Sequence, residues 1–190
     1  MRKLMKEVVE FFKRDDWPSF FATLLLAFVL IRFVFFPLLS LVTGTSLPLV
    51  IVESCSMYHD RRGFDNVFKS TLYAENNISI EDTKDWTFPD GFSKGDVIFV
   101  VGPKNVKVGD VIIFEAGSRH PLIHRVIRAG ETFSTKGDNY KTNYLQLPSE
   151  KEINKSQVIG KAVFRIPLIG WIKLIFFEPF RPPEQRGFCS

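Results

Sequence analysis

Two serines flank a cysteine in Glu53-Ser54-Cys55-Ser56-Met57, and the chain has three histidines, His59, His120 and His124. A serine hydroxyl is a weak nucleophile near neutral pH, so it attacks a carbonyl only when a base takes its proton. Imidazole, with an unperturbed pKa near 6.5, can accept that proton and return it at pH 7. Ser56 and His124 are the candidate pair. His124 lies inside the apolar run Ile123-His124-Arg125-Val126-Ile127, where a strand would fix its geometry. His120 precedes Pro121 in a loop, and His59 lies just beyond Met57; both read as surface residues. In an extended segment Cys55 faces away from Ser54 and Ser56, which argues against a thiol nucleophile. Lys136 would be a base only if desolvated. The histidines and cysteines show none of the spacings of a zinc site, so no metal is expected.

These groups need a rigid frame, and the pattern after Gly44 supplies one. Leu49–Val52, Asp96–Val101, Asp110–Phe114, Ile123–Ile127, Gln157–Phe164 and Ile169–Ile175 are short β-branched or aromatic runs bounded by Gly, Pro and Asp. Such runs read as strands, so the fold class is mainly β. Lys94-Gly95-Asp96-Val97-Ile98 and Val108-Gly109-Asp110-Val111-Ile112 share a Gly-Asp-Val-Ile entry, which predicts two similar turn-to-strand corners. The polar stretch 59–94 reads as an insertion holding one short helix, and 178–190 as a mobile C-terminal tail. Asn77-Ile78-Ser79 and Asn154-Lys155-Ser156 match the glycosylation triplet, a common chance pattern.

Ahead of the β region, residues 18–43 form an apolar stretch broken by one charge, Arg32, with Pro37 near its far end. A spanning helix needs about 20 predominantly apolar residues, and the stretch is too long for the core of a cleaved leader. Residues 1–17 carry Arg2, Lys3, Lys6, Lys13 and Arg14, which keeps that side cytoplasmic by the positive-inside rule. The expectation is a single-pass cell-membrane protein whose domain, 44–177, is extracytoplasmic. Residues 166–177, apolar and aromatic with Lys173, are either core or a patch resting on lipid.

The ordered set Ser54-Cys55-Ser56-Met57, Gly109-Asp110-Val111, His124-Arg125-Val126 and Lys136-Gly137-Asp138-Asn139 resembles the boxes of type I signal peptidases. The resemblance runs from the apolar stretch to Gly160-Lys161-Ala162-Val163. Bacterial members have Lys as the base; archaeal and endoplasmic-reticulum members have His, as here. It implies a signal-peptidase-type antiparallel β-sheet domain behind one transmembrane helix. It also implies a Ser56 nucleophile, a His124 base, and Ser54 aiding the oxyanion. In relatives with His, an Asp six residues after that of Gly-Asp-Asn orients the base. Here Tyr144 stands there, preceded by Asn143. Asp138 is the carboxylate left in the motif: it either orients His124 or pairs with Arg125. Asn143 is an alternative orienting group, and a plain dyad is another.

The implied substrates are exported preproteins with small side chains before the cleaved bond, and the implied neighbours are the lipid bilayer and the protein-export machinery. No cofactor is implied. Net charge is only +4, with no basic, aromatic-interleaved patch, so nucleic acid is not an expected partner. A membrane-tethered domain that binds peptides without cleaving them, or a more specialised precursor-processing protease, are the other readings. The two cysteines, Cys55 and Cys189, make no disulfide framework by number.

Overall fold

The computed structural model describes residues 2–59, 67–69, 71–118 and 120–189. Of the expected insertion, 60–66 and 70 lie outside the described residues. Two compact units result, one ending at Val42 and one starting at Thr43.

The first unit is helical. Helix α1 (Arg2–Phe12) precedes α2 (Trp17–Leu30). Asp16 starts α2: its carboxylate accepts the Ser19 N–H at 2.9 Å, and Pro18 sits in the first turn, where a missing donor is tolerated. The helix continues through a π-helical turn (Ile31–Phe35) into α3 (Phe36–Thr43). Pro37 has no N–H and its ring crowds the preceding turn, which accounts for the wider winding there; the Phe36 N–H donates to the Ile31 carbonyl, five residues back. Trp17–Thr43 spans 27 residues with mean hydropathy 2.6, long and apolar enough to cross a membrane.

The second unit is built on β1 (Leu49–Ile51), β2 (Val97–Val101), β3 (Val111–Phe114), β4 (Leu122–Ala129), β5 (Thr132–Lys136), β6 (Ile153–Asn154) and β7 (Val158–Ile166). They form one antiparallel sheet in the order β1-β2-β7-β3-β4-β5-β6. Two short helices accompany it, α4 (Leu72–Glu75) in the polar insertion and α5 (Trp171–Leu174) after β7. The Ile169–Ile175 run, expected as a strand, is the α5 turn: Leu168 takes φ of 60° and Gly170 N–H donates to the Gly95 carbonyl, which ends extended pairing.

Strand β3 is buried along its whole length. Val111 and Ile113 pack with Val52, Met57, Phe92 and Ile98, whereas Ile112 and Phe114 pack with Val126, Phe133, Ile153 and Val158. Alternate side chains thus feed two cores on opposite faces, the reason the run is continuously apolar. Three strands lie between β1 and β4, yet Leu49 and Val50 line the same cavity as Leu122 and Ile123. The sheet is therefore curled into a half-barrel, and register shifts at Phe99/Val100 and Ile113/Phe114 add to the bend.

The repeated Gly-Asp-Val-Ile sequence is a repeated structure. Ser93–Asp96 and Lys107–Asp110 are turns closed by Asp96 N–H to Ser93 O at 3.0 Å and Asp110 N–H to Lys107 O at 3.1 Å. Gly95 and Gly109 sit at φ of +90° and +91°, the left-handed conformation this turn demands of its third residue. Each aspartate reaches back to cap the first residue's N–H, at 2.8 Å for Ser93 and 3.0 Å for Lys107. Each faces a cation of β7: Arg165 for Asp96 at 3.8 Å, Lys161 for Asp110 at 3.3 Å. Against each glycine lies a tryptophan that a Cβ would strike, Trp171 at Gly95 and Trp86 at Gly109.

Residues 178–189, expected to be mobile, fold back onto this unit. Cys189 forms a disulfide with Cys55, Lys94 Nζ bonds the Glu178 carboxylate at 2.5 Å and the Gln185 carbonyl at 2.7 Å, and Phe188 lies 4.6 Å from the Trp171 ring. Two cysteines too few for a framework still make one cross-link, because the fold brings sequence-distant ends together.

Candidate active site

Ser56 lies past the end of β1, in a turn where the Tyr58 N–H returns to the Cys55 carbonyl at 3.0 Å. The pentad is thus a bend, not a strand end, but Ser54 and Ser56 still share a side: their hydroxyl oxygens are 3.2 Å apart. Cys55 is turned to Cys189 and held as a disulfide. The segment is pinned from the protein side by Asn139, whose N–H donates to the Ser56 carbonyl at 2.9 Å and whose amide donates to the Cys55 carbonyl at 2.9 Å. Gly137 leaves the room for this: a Cβ there would stand 2.7 Å from the Ser56 carbonyl oxygen.

The glycine–aspartate corners hold both halves of the site by the same two bonds. Gly95 N–H donates to the Val52 carbonyl at 2.8 Å and Val52 N–H to the Asp96 carbonyl at 2.9 Å. Gly109 N–H donates to the Val126 carbonyl at 2.9 Å and Val126 N–H to the Asp110 carbonyl at 2.8 Å. One corner therefore fixes the chain just before Ser56, and the other fixes it just after His124.

Strand β4 delivers His124, buried, with Nε2 3.0 Å from the Ser56 hydroxyl. Its Nδ1 hydrogen-bonds the Glu150 carboxylate. Both ring nitrogens are thereby occupied, which excludes Asp138 and Asn143 as direct partners of the imidazole. Glu150 is itself fully buried; its other oxygen accepts the Leu147 N–H at 2.7 Å, and the Thr135 hydroxyl lies 3.5 Å from the oxygen facing His124.

Of the two roles open to Asp138, orienting His124 or pairing with Arg125, the structure shows the pairing with Arg125. The guanidinium grips it through Nε at 2.9 and 3.1 Å and through Nη2 at 2.7 Å, and its remaining donors reach the carbonyls of Thr87, Phe88 and Gly109. Adjacent residues of a strand face opposite sides, so Arg125 cannot share the histidine's carboxylate. His59, expected at the surface, is buried with Nε2 3.7 Å from Asp138. Asn143 packs against Gly137, its amide oxygen accepting from the Thr142 hydroxyl at 3.1 Å. His120 is exposed, at the rim of the cavity beside Ser56. Lys136 is fully buried; desolvation lowers its pKa, against the opposing charges of Asp138 and Glu150, and its Nζ donates to the Gly137 carbonyl at 3.0 Å. No group of at least three His, Cys, Asp or Glu fit to hold a metal occurs among the described residues.

Glu150 escaped the reading by motif because it lies beyond the matched box. It opens no motif of its own; it closes a short Pro148–Glu150 turn and caps the Leu147 N–H. The available signal was that no Asp or Glu intervenes between Asp138 and Glu150.

Around Ser56 the cavity is walled by Leu49, Val50, Val52, Leu122 and Ile123, with Glu53, Lys173 and Arg181 on its polar side. A serine hydroxyl, an imidazole held by a buried carboxylate and a neighbouring hydroxyl at the end of an apolar cleft form the arrangement that acyl transfer requires. Comparison with known proteins points the same way. The chain is 32% identical over 98 residues to the signal peptidase complex catalytic subunit SEC11 of Debaryomyces hansenii, covering 46% of this chain and 59% of that one. The similarity is to signal peptidases. The SEC11 subunits of Candida tropicalis (32% over 97 residues, 46% of this chain and 58% of that one) and Saccharomyces cerevisiae (33% over 98 residues, 46% and 59%) match alike. The chain spans less than two thirds of the length of these curated relatives. No family model matches it.

Proposed function

We propose that this chain is a membrane-anchored serine endopeptidase that removes signal peptides from exported preproteins. The observation that carries the reading is the contact series Ser56–His124–Glu150, with Nε2 of His124 at 3.0 Å from the serine hydroxyl. In this reading Ser56 Oγ attacks the scissile carbonyl while His124 Nε2 takes its proton. Glu150 accepts from Nδ1–H, so it holds the tautomer that leaves Nε2 free to act as base and stabilises the imidazolium that forms. The Ser56 backbone N–H and the Ser54 hydroxyl are the donors for the oxyanion. His124 then returns the proton to the departing amine, and water repeats the sequence in reverse to hydrolyse the acyl-serine.

Strand β1 is at one end of the sheet order, paired on one side with β2. Its other side offers main-chain groups to an extended peptide running toward Ser56, the mode of strand addition. The apolar wall suits small uncharged side chains before the cleaved bond. Helix Trp17–Thr43 is the anchor, with residues 1–17 cytoplasmic and the β unit extracytoplasmic. Arg125 and Asp138 brace the base strand. A peptide binder without catalysis drew on the missing acid of the motif, and Glu150 removes that ground.

The test uses the full chain in detergent or liposomes with a preprotein. Wild type is expected to release the signal peptide, and Ser56→Ala to abolish release while still binding. Undiminished processing by Ser56→Ala sinks the assignment.

A further inference from the structure

The segment bearing Ser56 is held on two sides by different means. Inside, Asn139 binds the carbonyls of Cys55 and Ser56. Outside, the anchors among the described residues come from residues 173–189. Arg181 donates through Nη1 to the Glu53 carbonyl at 3.1 Å and through Nη2 to the Glu53 carboxylate at 2.9 Å. Lys173 Nζ bonds the same carboxylate at 3.1 Å. Cys189 is joined to Cys55, the residue next to the nucleophile. Glu53 and Cys55 are thus gripped at alternate positions, leaving Ser54 and Ser56 facing the cleft.

The outer anchor is itself ordered. Glu178 bridges Lys94 at 2.5 Å and the Gly187 N–H at 2.8 Å, Arg186 ties to the carbonyls of Arg181 and Pro179 at 2.7 and 3.0 Å, and the Lys94 N–H points at Cys189 sulfur at 3.3 Å. Lys94 belongs to the corner whose Gly95 and Asp96 bond Val52. The disulfide, the corner and the arginine therefore act on one stretch, residues 52–55.

From this we infer that residues 178–189 are a positioning strap for the nucleophile, with Arg181 and Cys189 as positioning residues, and that the strap opens under a dithiol. Reduction transfers two electrons and two protons from the dithiol to Cys55–Cys189. The sulfur–sulfur bond breaks, two thiols form, and the reductant closes its own disulfide. Freed of that link, residues 54–56 lose their one covalent outer tie; Glu53 keeps Arg181 and Lys173, and Ser56 is left to the Asn139 side, with a looser distance to His124.

The mechanism rests on the peptidase reading, so the experiment has two readouts. Full chain in detergent, purified without reductant, is assayed for preprotein cleavage and for amide hydrogen exchange across 52–58, with and without dithiothreitol. The comparison proteins are Cys189→Ser, Arg181→Ala and Arg181→Lys. Expected on reduction is faster exchange at 52–58, unchanged exchange in β3 and β4, and a fall in kcat of about 10- to 100-fold with KM little changed, the scale set by small misplacements of reacting groups. Cys189→Ser should match the reduced wild type and ignore dithiothreitol; Arg181→Ala should speed exchange, and Arg181→Lys should restore part of the loss. Two free thiols in the unreduced protein, or exchange at 52–58 indifferent to reduction and to Cys189→Ser, overturns the strap. Absence of cleavage by the oxidised wild type counts against the peptidase reading alone, because exchange still decides the strap.

Discussion

The two glycine–aspartate corners share the Gly-Asp-Val-Ile sequence, turn geometry and bonding, yet their surroundings differ. The Lys107–Asp110 corner, which holds β4 beside the base, is backed from within: Arg125 donates to the Gly109 carbonyl at 2.7 Å and stacks 5.2 Å over Trp86, and Asp138 neutralises it. The Ser93–Asp96 corner, which holds the chain before the nucleophile, is backed from the surface by Trp171, Phe188 and the disulfide-linked segment. The same local device serves both halves of the site. The His124 side is built into the core, while the Ser56 side is tied to a late, partly exposed part of the chain.

Four substitutions break this contrast, the largest effect first. His124→Ala removes the proton acceptor and should lower kcat by roughly a million-fold or to the detection limit, because loss of the base alone costs about as much as loss of a whole triad; it should also lower the melting temperature, since it leaves the Glu150 carboxylate buried without its partner. Glu150→Gln should reduce kcat by about a thousand- to ten-thousand-fold through the wrong imidazole tautomer, read from initial rates on a preprotein. Asp138→Asn acts differently. It leaves Arg125 buried beside a neutral partner, a change worth about 3–5 kcal/mol of stability, so thermal melting should fall by roughly 10 °C. If Asp138→Asn instead left melting intact and cut kcat as Glu150→Gln does, the division between the two carboxylates would be wrong. Ser54→Ala should lower kcat by about a hundred-fold without changing melting, the usual loss for one oxyanion donor.

The smallest effect comes from pH on the nucleophile side. Burial alone would raise the Glu53 carboxyl, but the hydrogen bonds and charges of Lys173 and Arg181 outweigh it and hold its pKa below the ordinary carboxylate range. A depressed folded value means that the stabilisation is present above the unfolded pKa and is lost as pH falls through the folded one. The melting difference between wild type and Glu53→Gln should therefore be constant above about pH 5 and shrink below about pH 4, and it should be small because the group is partly solvated.

Most of the sheet could be read from the residues because its strands are short apolar runs between turn residues. Strand β5, Thr-Phe-Ser-Thr-Lys, could not: it is polar in composition and buried by partnership, its Ser134 and Thr135 taken up by the Gln146 amide. The run after β7 misled for the opposite reason, since a continuous apolar stretch does not distinguish a strand from a helical turn. At the site, the pairing of Ser56 with His124 was suggested by the ordered boxes, and the structure brings the two side chains to 3.0 Å. Glu150 was not so suggested, because it reaches His124 through a turn far along the chain and shares no spacing with it. The Cys55–Cys189 link was equally hidden: nothing local in either cysteine's neighbourhood names the other.

The strand order has one more consequence. Strand β7 is the last made, yet it lies between β2 and β3. It joins β1 and β2, which lead to Ser56, to β3 through β6, which carry His124. Without residues 158–166, those two pieces share no strand pairing. The 3.0 Å approach of Ser56 to His124 therefore depends on a strand that contributes no residue to the contact itself.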